Sequence, residues 1–200
     1  MKKNILQLLM MIYVAVSAIL FIYLFSIIKS EDSFGEISTK RINIVDDDGQ
    51  ARVVLSNRSL MPNPIFGGKE YQRSVAPAGI LFYDEKGDEI GGIALSTVDD
   101  SGLRAVAFDY ANADAIGLLA QEDLQGDNFR AGLLINDKDL SGKPGSSIPR
   151  LKLMTENGNA GLFITGPDEK PRISIFVDSV GKPFIQLFDE NGQPEELSPF

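Results

Sequence analysis

The chain has 200 residues, 44% hydrophobic and 24% charged, with a formal net charge of −9, no cysteine and no histidine. The missing thiol excludes a disulfide framework, a lipid-modified cysteine, a thiolate nucleophile and a cysteine-type zinc site. The missing imidazole removes the commonest general base and the commonest zinc ligand, and with them most hydrolase designs.

The first element is the run from Ile5 to Ile28, which carries no charge and is interrupted only by Gln7, Ser17 and Ser26. As a helix it rises about 36 Å, enough to cross a hydrocarbon core of about 30 Å. A signal-peptide core is shorter, about 7 to 15 residues, and is followed by a small-residue cleavage site. The one such stretch, Ala15 to Ala18, lies in the middle of the run. Residues 1–30 are therefore expected to be a cytoplasmic tip and an uncleaved transmembrane anchor, with the membrane as partner through residues 5–28.

Lys2, Lys3 and the amino terminus precede the run, whereas Lys29 follows it together with Glu31 and Asp32. Cytoplasmic flanks are the more basic, so the expected orientation keeps the N-terminus in the cytoplasm and exports the rest to the periplasm or cell exterior. Residues 31–200 hold sixteen basic against twenty-eight acidic residues, a net charge of −12. Such a field opposes nucleic-acid phosphates and anionic headgroups, so no nucleic-acid partner is expected.

Residues 31–40 are polar and read as a stalk. From Arg41 to the end, short alternating apolar runs are punctuated by acidic or Asn-containing turns that close on Gly49, Gly87, Gly102, Gly158, Gly181 and Gly192. A type I turn in a hairpin needs a following residue at positive φ, where glycine sits without steric cost, and Asp or Asn at its start accepts bonds from the turn's own amides. The fold class expected for residues 41–200 is all-β, an antiparallel hairpin or meander sheet closed as a barrel or stacked as a two-layer sandwich. The uneven glycine spacing argues against a solenoid of fixed period.

Side chains alternate across a strand. Ile173, Ile175 and Val177 share a face opposite Ser174 and Phe176, and Ile185 and Leu187 share one opposite Phe184, Gln186 and Phe188. Ile42 and Ile44 oppose Asn43 and Val45. Several strands are thus apolar on both faces. Phe163, Phe176, Phe184 and Phe188 are candidates for a self-association surface, with aromatic filling of one core as the plainer alternative.

Two stretches break the alternation. Residues 57–77 hold three prolines and a glycine pair and read as a long loop, a common location of function, with Phe66 and Tyr71 as interaction candidates. Residues 109–128 are alanine-rich and fit a short helix or an irregular strand.

Asp137, Asp139 and Ser141 with Gly142 match the front half of a calcium loop, in which oxygens crowd a sharp turn. Position 12 would be Ile148 instead of the bidentate Glu, so the motif is incomplete. Asp46 to Gly49 has the wrong spacing for the same loop. Ser26 and Lys29 match S-x-x-K, but within the apolar run and without partner motifs. Asn57-Arg58-Ser59 is a glycosylation sequon. Paired carboxylates leave a carbohydrate-active enzyme as a third function.

The segments RINIVDDDGQARVVLSN, AGILFYDEKGDEIGG, AVAFDY with the following Asp114, and PRISIFVDSVGKPFIQLFDENGQ resemble blocks of an uncharacterised bacterial family of N-terminally membrane-anchored all-β proteins. The resemblance covers most of residues 41–193. It implies an anchored β-domain with strand character for residues 109–128, and brings no activity, cofactor or catalytic residue. The function expected is a non-enzymatic interaction or structural protein of the envelope, without cofactor, whose partners are copies of itself or other envelope proteins. A ligand- or calcium-binding module is the second expectation.

Overall fold

A computed structural model describes residues 2–28, 35–73, 75–98 and 100–195. The basic flank Lys29, Ser30 and stalk residues 31–34 lie outside the described residues. The chain divides into two units, Met1–Ser38 and Thr39–Phe200.

The first unit holds the single α-helix among the described residues, α1 (Lys2–Ile28). Its stretch Asn4–Ser26 is long and apolar enough to cross a membrane, by length and composition that a signal sequence also satisfies. The hydroxyl of Ser26 donates to the Tyr23 carbonyl at 2.8 Å, so this polar group is satisfied within the helix.

The second unit is β-sheet. Its strands are β1 (Arg41–Val45), β2 (Ala51–Ser56), β3 (Ile65–Phe66), β4 (Lys69–Glu70), β5 (Ala78–Tyr83), β6 (Glu89–Val98), β7 (Ser101–Asp109), β8 (Asp114–Asp123), β9 (Phe129–Lys138), β10 (Ser147–Glu156), β11 (Asn159–Thr165), β12 (Pro171–Val177), β13 (Pro183–Phe188) and β14 (Pro194–Glu195). Twelve of them form one antiparallel sheet in the order β1-β2-β5-β6-β7-β8-β9-β10-β11-β12-β13-β14, while β3 and β4 make a separate hairpin. The meander is as expected. Among the described residues the strand order is linear, with β1 at one edge and β14 at the other. The alanine-rich stretch supplies β8, and the 57–77 segment holds a short 3-10 turn (Arg58–Leu60) and the β3–β4 hairpin. Asn57 caps that turn by accepting from the Leu60 amide at 3.1 Å.

The Asp-x-x-Gly tetrads are hairpin corners. In DSVG, Asp178 Oδ1 accepts from the Val180 and Lys182 amides at 3.0 and 2.8 Å, and Gly181 sits at φ +89°. In DENG, Asp189 repeats both bonds with Asn191 and Gln193 at 2.8 Å. Two corners differ from expectation. At the β6–β7 corner the positive φ belongs to Asp100 (63°), and Gly102 is a strand residue. Asn157 and Gly158 both have positive φ, the mirror-image two-residue turn instead of a type I turn with a trailing glycine.

Register shows what alternation alone cannot. One transverse row runs Ile42, Leu55, Ile80, Ile93, Val106, Leu118, Leu133, Leu153, Leu162, Ile175 and Ile185, each the cross-strand partner of the next. Two residues along, on the same face, a second row runs Ile44, Val53, Phe82, Gly91, Phe108, Ile116, Ile135, Leu151, Ile164, Ile173 and Leu187. Gly91 does not interrupt it, because the rings of Phe82 and Phe108 stack across it at 6.1 Å. A β-carbon at Gly91 would stand 2.3 Å from the Ala107 carbonyl oxygen, and its φ is +135°, so glycine is required there. We call this the front face.

The back face differs. On the central strands it carries small residues: Gly79, Ala94 and Ala105 in one row, Gly92, Ala107 and Gly117 in the next. A β-carbon at Gly79 would stand 1.9 Å from the Ile93 carbonyl oxygen and one at Gly132 2.5 Å from that of Leu153, so the glycines let the strands close in on this side. The buried core lies here, at the β2–β5 end, where Val54, Leu81 and Tyr83 pack with Ala51 and with Met61 from the 57–77 segment.

Candidate functional site

A line of bulges crosses one end of the sheet. Five hairpins each insert one extra residue just past the second apolar row: Arg52, Ile90, Ala115, Arg150 and Arg172. The three arginines use this position alike, bonding their own hairpin and the next. Arg52 pairs with Asp46 at 3.5 Å and with Glu85 of the following turn at 3.2 Å. Arg150 pairs with Asp137 and donates to the Thr165 carbonyl at 2.9 Å. Arg172 pairs with Asp168 at 2.8 Å and donates to the Asp189 carbonyl at 3.1 Å.

At the β5–β6 and β7–β8 hairpins the bulge residues are Ile90 and Ala115, and here the same end of the sheet opens into a cleft of about 430 Å³. Its wall includes Glu89, Asp109, Asn112, Asp114, Arg73 and Phe66. The local fold explains the convergence. Asp109 and Asp114 are the paired residues that close the β7–β8 hairpin, and Glu89 pairs with Tyr83 at the start of β6. Arg73 arrives from the 57–77 segment, donating Nε to the Pro62 carbonyl at 3.1 Å and Nη2 to Glu89 at 2.5 Å. Gly68 N–H donates to Asp88 at 2.7 Å and pins the same segment. Asn112 Nδ2 donates to the carbonyls of Asp139, Lys143 and Ser146, docking the β9–β10 loop against the turn.

The electrostatics follow from burial. Asp109 is pushed up to about 7, first by burial, then by the charge of Asp114 and a hydrogen bond with its carboxyl. Burial also raises Glu89, against the opposing pull of Arg73. Burial and the Glu89 charge push Tyr83 up to about 12, so it is neutral at physiological pH. Asp109 Oδ1 and Asn112 Oδ1 are buried acceptors with no hydrogen-bond partner among the described residues.

Of the residues singled out from the sequence, Phe66 lines this cleft and the others fall elsewhere. Asp137 is turned to Arg150, while Asp139 accepts from the Ser141 amide and hydroxyl at 2.8 Å and from the Ser146 hydroxyl at 2.5 Å. Those bonds, that from Ser146 foremost, hold Asp139 below its usual range. The Asp137, Asp139 and Ser141 oxygens therefore serve a loop corner and an ion pair. No cluster of three or more His, Cys, Asp or Glu residues arranged for a metal ion occurs among the described residues.

Phe163, Phe176 and Phe184 stack on the back face, with ring centroids 6.0 and 4.7 Å apart. They spread over Gly161, whose added β-carbon would stand 2.4 Å from Phe176 Cβ and 3.1 Å from Phe163 Cζ. Phe188 lies four residues on, opposite Pro194. Phe66 and Tyr71 pack at 6.0 Å across the β3–β4 hairpin, and Phe66 lines the cleft.

Sequence reasoning passed over the two front-face rows and the Glu89, Asp109, Asn112 cluster. The rows were present as alternation in each strand, but their alignment needs the register. A buried carboxylate looks like any other acidic residue at a turn.

Comparison of the chain with protein-family models, with curated proteins and with solved structures finds no match.

Proposed function

We propose that this chain is a single-pass membrane protein, its N-terminus cytoplasmic and its β-domain exported, which acts by non-enzymatic contact with a second copy through the front face. The observation that carries this is the pair of apolar rows crossing eleven strands in register. Part of this strip is open to solvent, with Leu118 57% exposed, Leu153 53% and Ile185 63%, and most of the other row residues are half-buried. Ten inter-strand spacings of about 4.8 Å make a strip about 48 Å long, and two rows make it about 15 Å wide. The resulting area, about 700 Å², exceeds the largest apolar patch of a typical monomer and approaches the roughly 800 Å² that each partner contributes to a standard interface.

The front-face rows contain no charged residue, so two copies related by a two-fold axis match without burying like charges. The acidity of residues 31–200 opposes the alternative of laying this face on anionic lipid. An anchor also confines the copies to one plane, which lowers the entropic cost of meeting.

The calcium-binding alternative rests on half a motif whose oxygens are already engaged. The enzyme alternative rests on paired carboxylates, of which Asp109 and Asp114 in the cleft are one pair, and an acidic chain supplies such pairs readily. The test is the oligomeric mass of the full chain in lipid nanodiscs. Wild type should run as a dimer and Leu118→Asp with Leu153→Asp as a monomer with its β circular dichroism intact. A monomeric wild type overturns the proposal.

A further inference from the structure

We propose that the cleft at the bulged end of β5–β8 binds a guanidinium group, held by the carboxylates of Asp109 and Asp114 and by Asn112 Oδ1, against the wall formed by Phe66.

The first support is an internal comparison. At three of the five bulged hairpins a guanidinium, from Arg52, Arg150 or Arg172, bridges acceptors of two successive hairpins. At the two that bound the cleft the bulge residue is Ile90 or Ala115, which brings no guanidinium; Arg73 serves Glu89 from the 57–77 segment, while Asp109 Oδ1 and Asn112 Oδ1 have no donor among the described residues.

The second support is the pattern of satisfaction. Arg73 commits Nη2 to Glu89 and Nε to a carbonyl. Asn112 is only 5% exposed and lines the cleft; its Nδ2 is held by three carbonyls while its Oδ1 has no hydrogen-bond partner. Asp109 Oδ1 is in the same condition. A buried acceptor without a donor is costly, so the walls favour a ligand that brings donors. Guanidinium brings five N–H donors in a flat fork and no acceptor, and its charge offsets a wall with three carboxyls and one arginine. A neutral amide or sugar brings acceptors that this wall does not need.

The charged and titratable groups around Asp109 are Asp114 on β8, Glu89 on β6 and Arg73 on the 57–77 segment, and Tyr83 on β5 neighbours Glu89 and Arg73. On the β9–β10 loop Asp139 faces Ser141 and Ser146, and Lys143 gives its carbonyl to Asn112. A bound cation favours the ionised carboxyl, so binding near neutrality should release about half a proton from Asp109.

The experiment is titration calorimetry of the full chain in nanodiscs with methylguanidinium, run at pH 7 in two buffers of different ionisation enthalpy, and again at pH 8 and pH 6. The expected result is saturable binding, net proton release at pH 7 and an affinity several-fold weaker at pH 6 than at pH 8. Asp109→Asn should abolish the proton release, and Asp114→Asn should weaken binding about tenfold. An acetyl-Gly-Arg-Gly-amide peptide that binds at least as well points to an arginine displayed on a protein, and weaker peptide binding points to a free small guanidinium compound. Equal binding of urea, butylammonium or calcium ion, or affinities unchanged in both variants, would overturn the assignment. This outcome is independent of the oligomeric state.

Discussion

Val54 and Leu118 are both aliphatic strand residues, yet one is 1% exposed and the other 57%. They lie on opposite faces of one sheet. Around Val54 the back face is covered from within the chain: the 57–77 segment brings Met61 onto Val54, Leu81 and Tyr83, and Arg73 and Gly68 fasten the segment to Glu89 and Asp88. Around Leu118 the front face carries two apolar rows across eleven strands. The difference teaches that alternation specifies which side chains share a face, whereas a loop elsewhere in the chain decides which face is sealed. The covered part is local: it spans the β2–β5 end of the back face, around Val54, Leu81 and Tyr83.

The largest expected effect comes from unfastening the covered end. Arg73→Met leaves Glu89 buried without its partner and should cost about 3 kcal/mol, a fall in Tm of roughly 8 °C by thermal denaturation. The front-face association should survive in the folded fraction. A loss below about 0.5 kcal/mol would mean that the segment is held by something other than this pair.

The sharpest test of the two faces sets Val54→Ala against Leu118→Ala. Val54→Ala opens a space in the covered core and should cost about 2 kcal/mol in urea unfolding. Leu118→Ala should change monomer stability by less than about 0.5 kcal/mol and should instead weaken dimer formation, read from the concentration dependence of the mass. Similar unfolding costs for both would erase the distinction between the faces.

A smaller effect belongs to the cleft. The folded protein holds a proton on Asp109 up to about pH 7, while the unfolded chain releases it near the ordinary value of 3.8. Between those limits the native state binds more protons than the unfolded state, so the Asp109 contribution makes stability fall as pH rises from about 4 to 7 and stay level above. Asp109→Asn should flatten that fall and raise Tm at pH 8 by several degrees, with the slope due to Glu89 among what is left. A steeper fall in the variant would contradict the sign.

The apolar helix, the antiparallel meander and the corners at Asp178 and Asp189 were legible because each depends on local chemistry: hydropathy, period-two alternation, and a glycine at positive φ. What was not legible depends on pairing between distant residues. Leu55 and Ile185 join one row only because ten successive registers agree. Phe163, Phe176 and Phe184 were grouped from strand alternation, but only the register puts them over Gly161, which accounts for their place in the fold as filling of the back face. Asp109 and Asp114 sit five positions apart in a string of ordinary acids, and their environment is set by Arg73 and by the β9–β10 loop. Asp137 and Asp139 show the same limit in reverse, because a partial motif says nothing about the partners that occupy its oxygens.

The central claim is that a second copy covers the front face, and the absence of cysteine makes it directly measurable. Single cysteines placed at Leu118 and Leu153 on the front face, and at Lys152 on the back, can be treated in native membranes with a short bismaleimide. Dimers linked through Leu118→Cys and Leu153→Cys but not through Lys152→Cys are the expected result. Monomers at both front-face positions, with the dimer appearing only at the back, would contradict it.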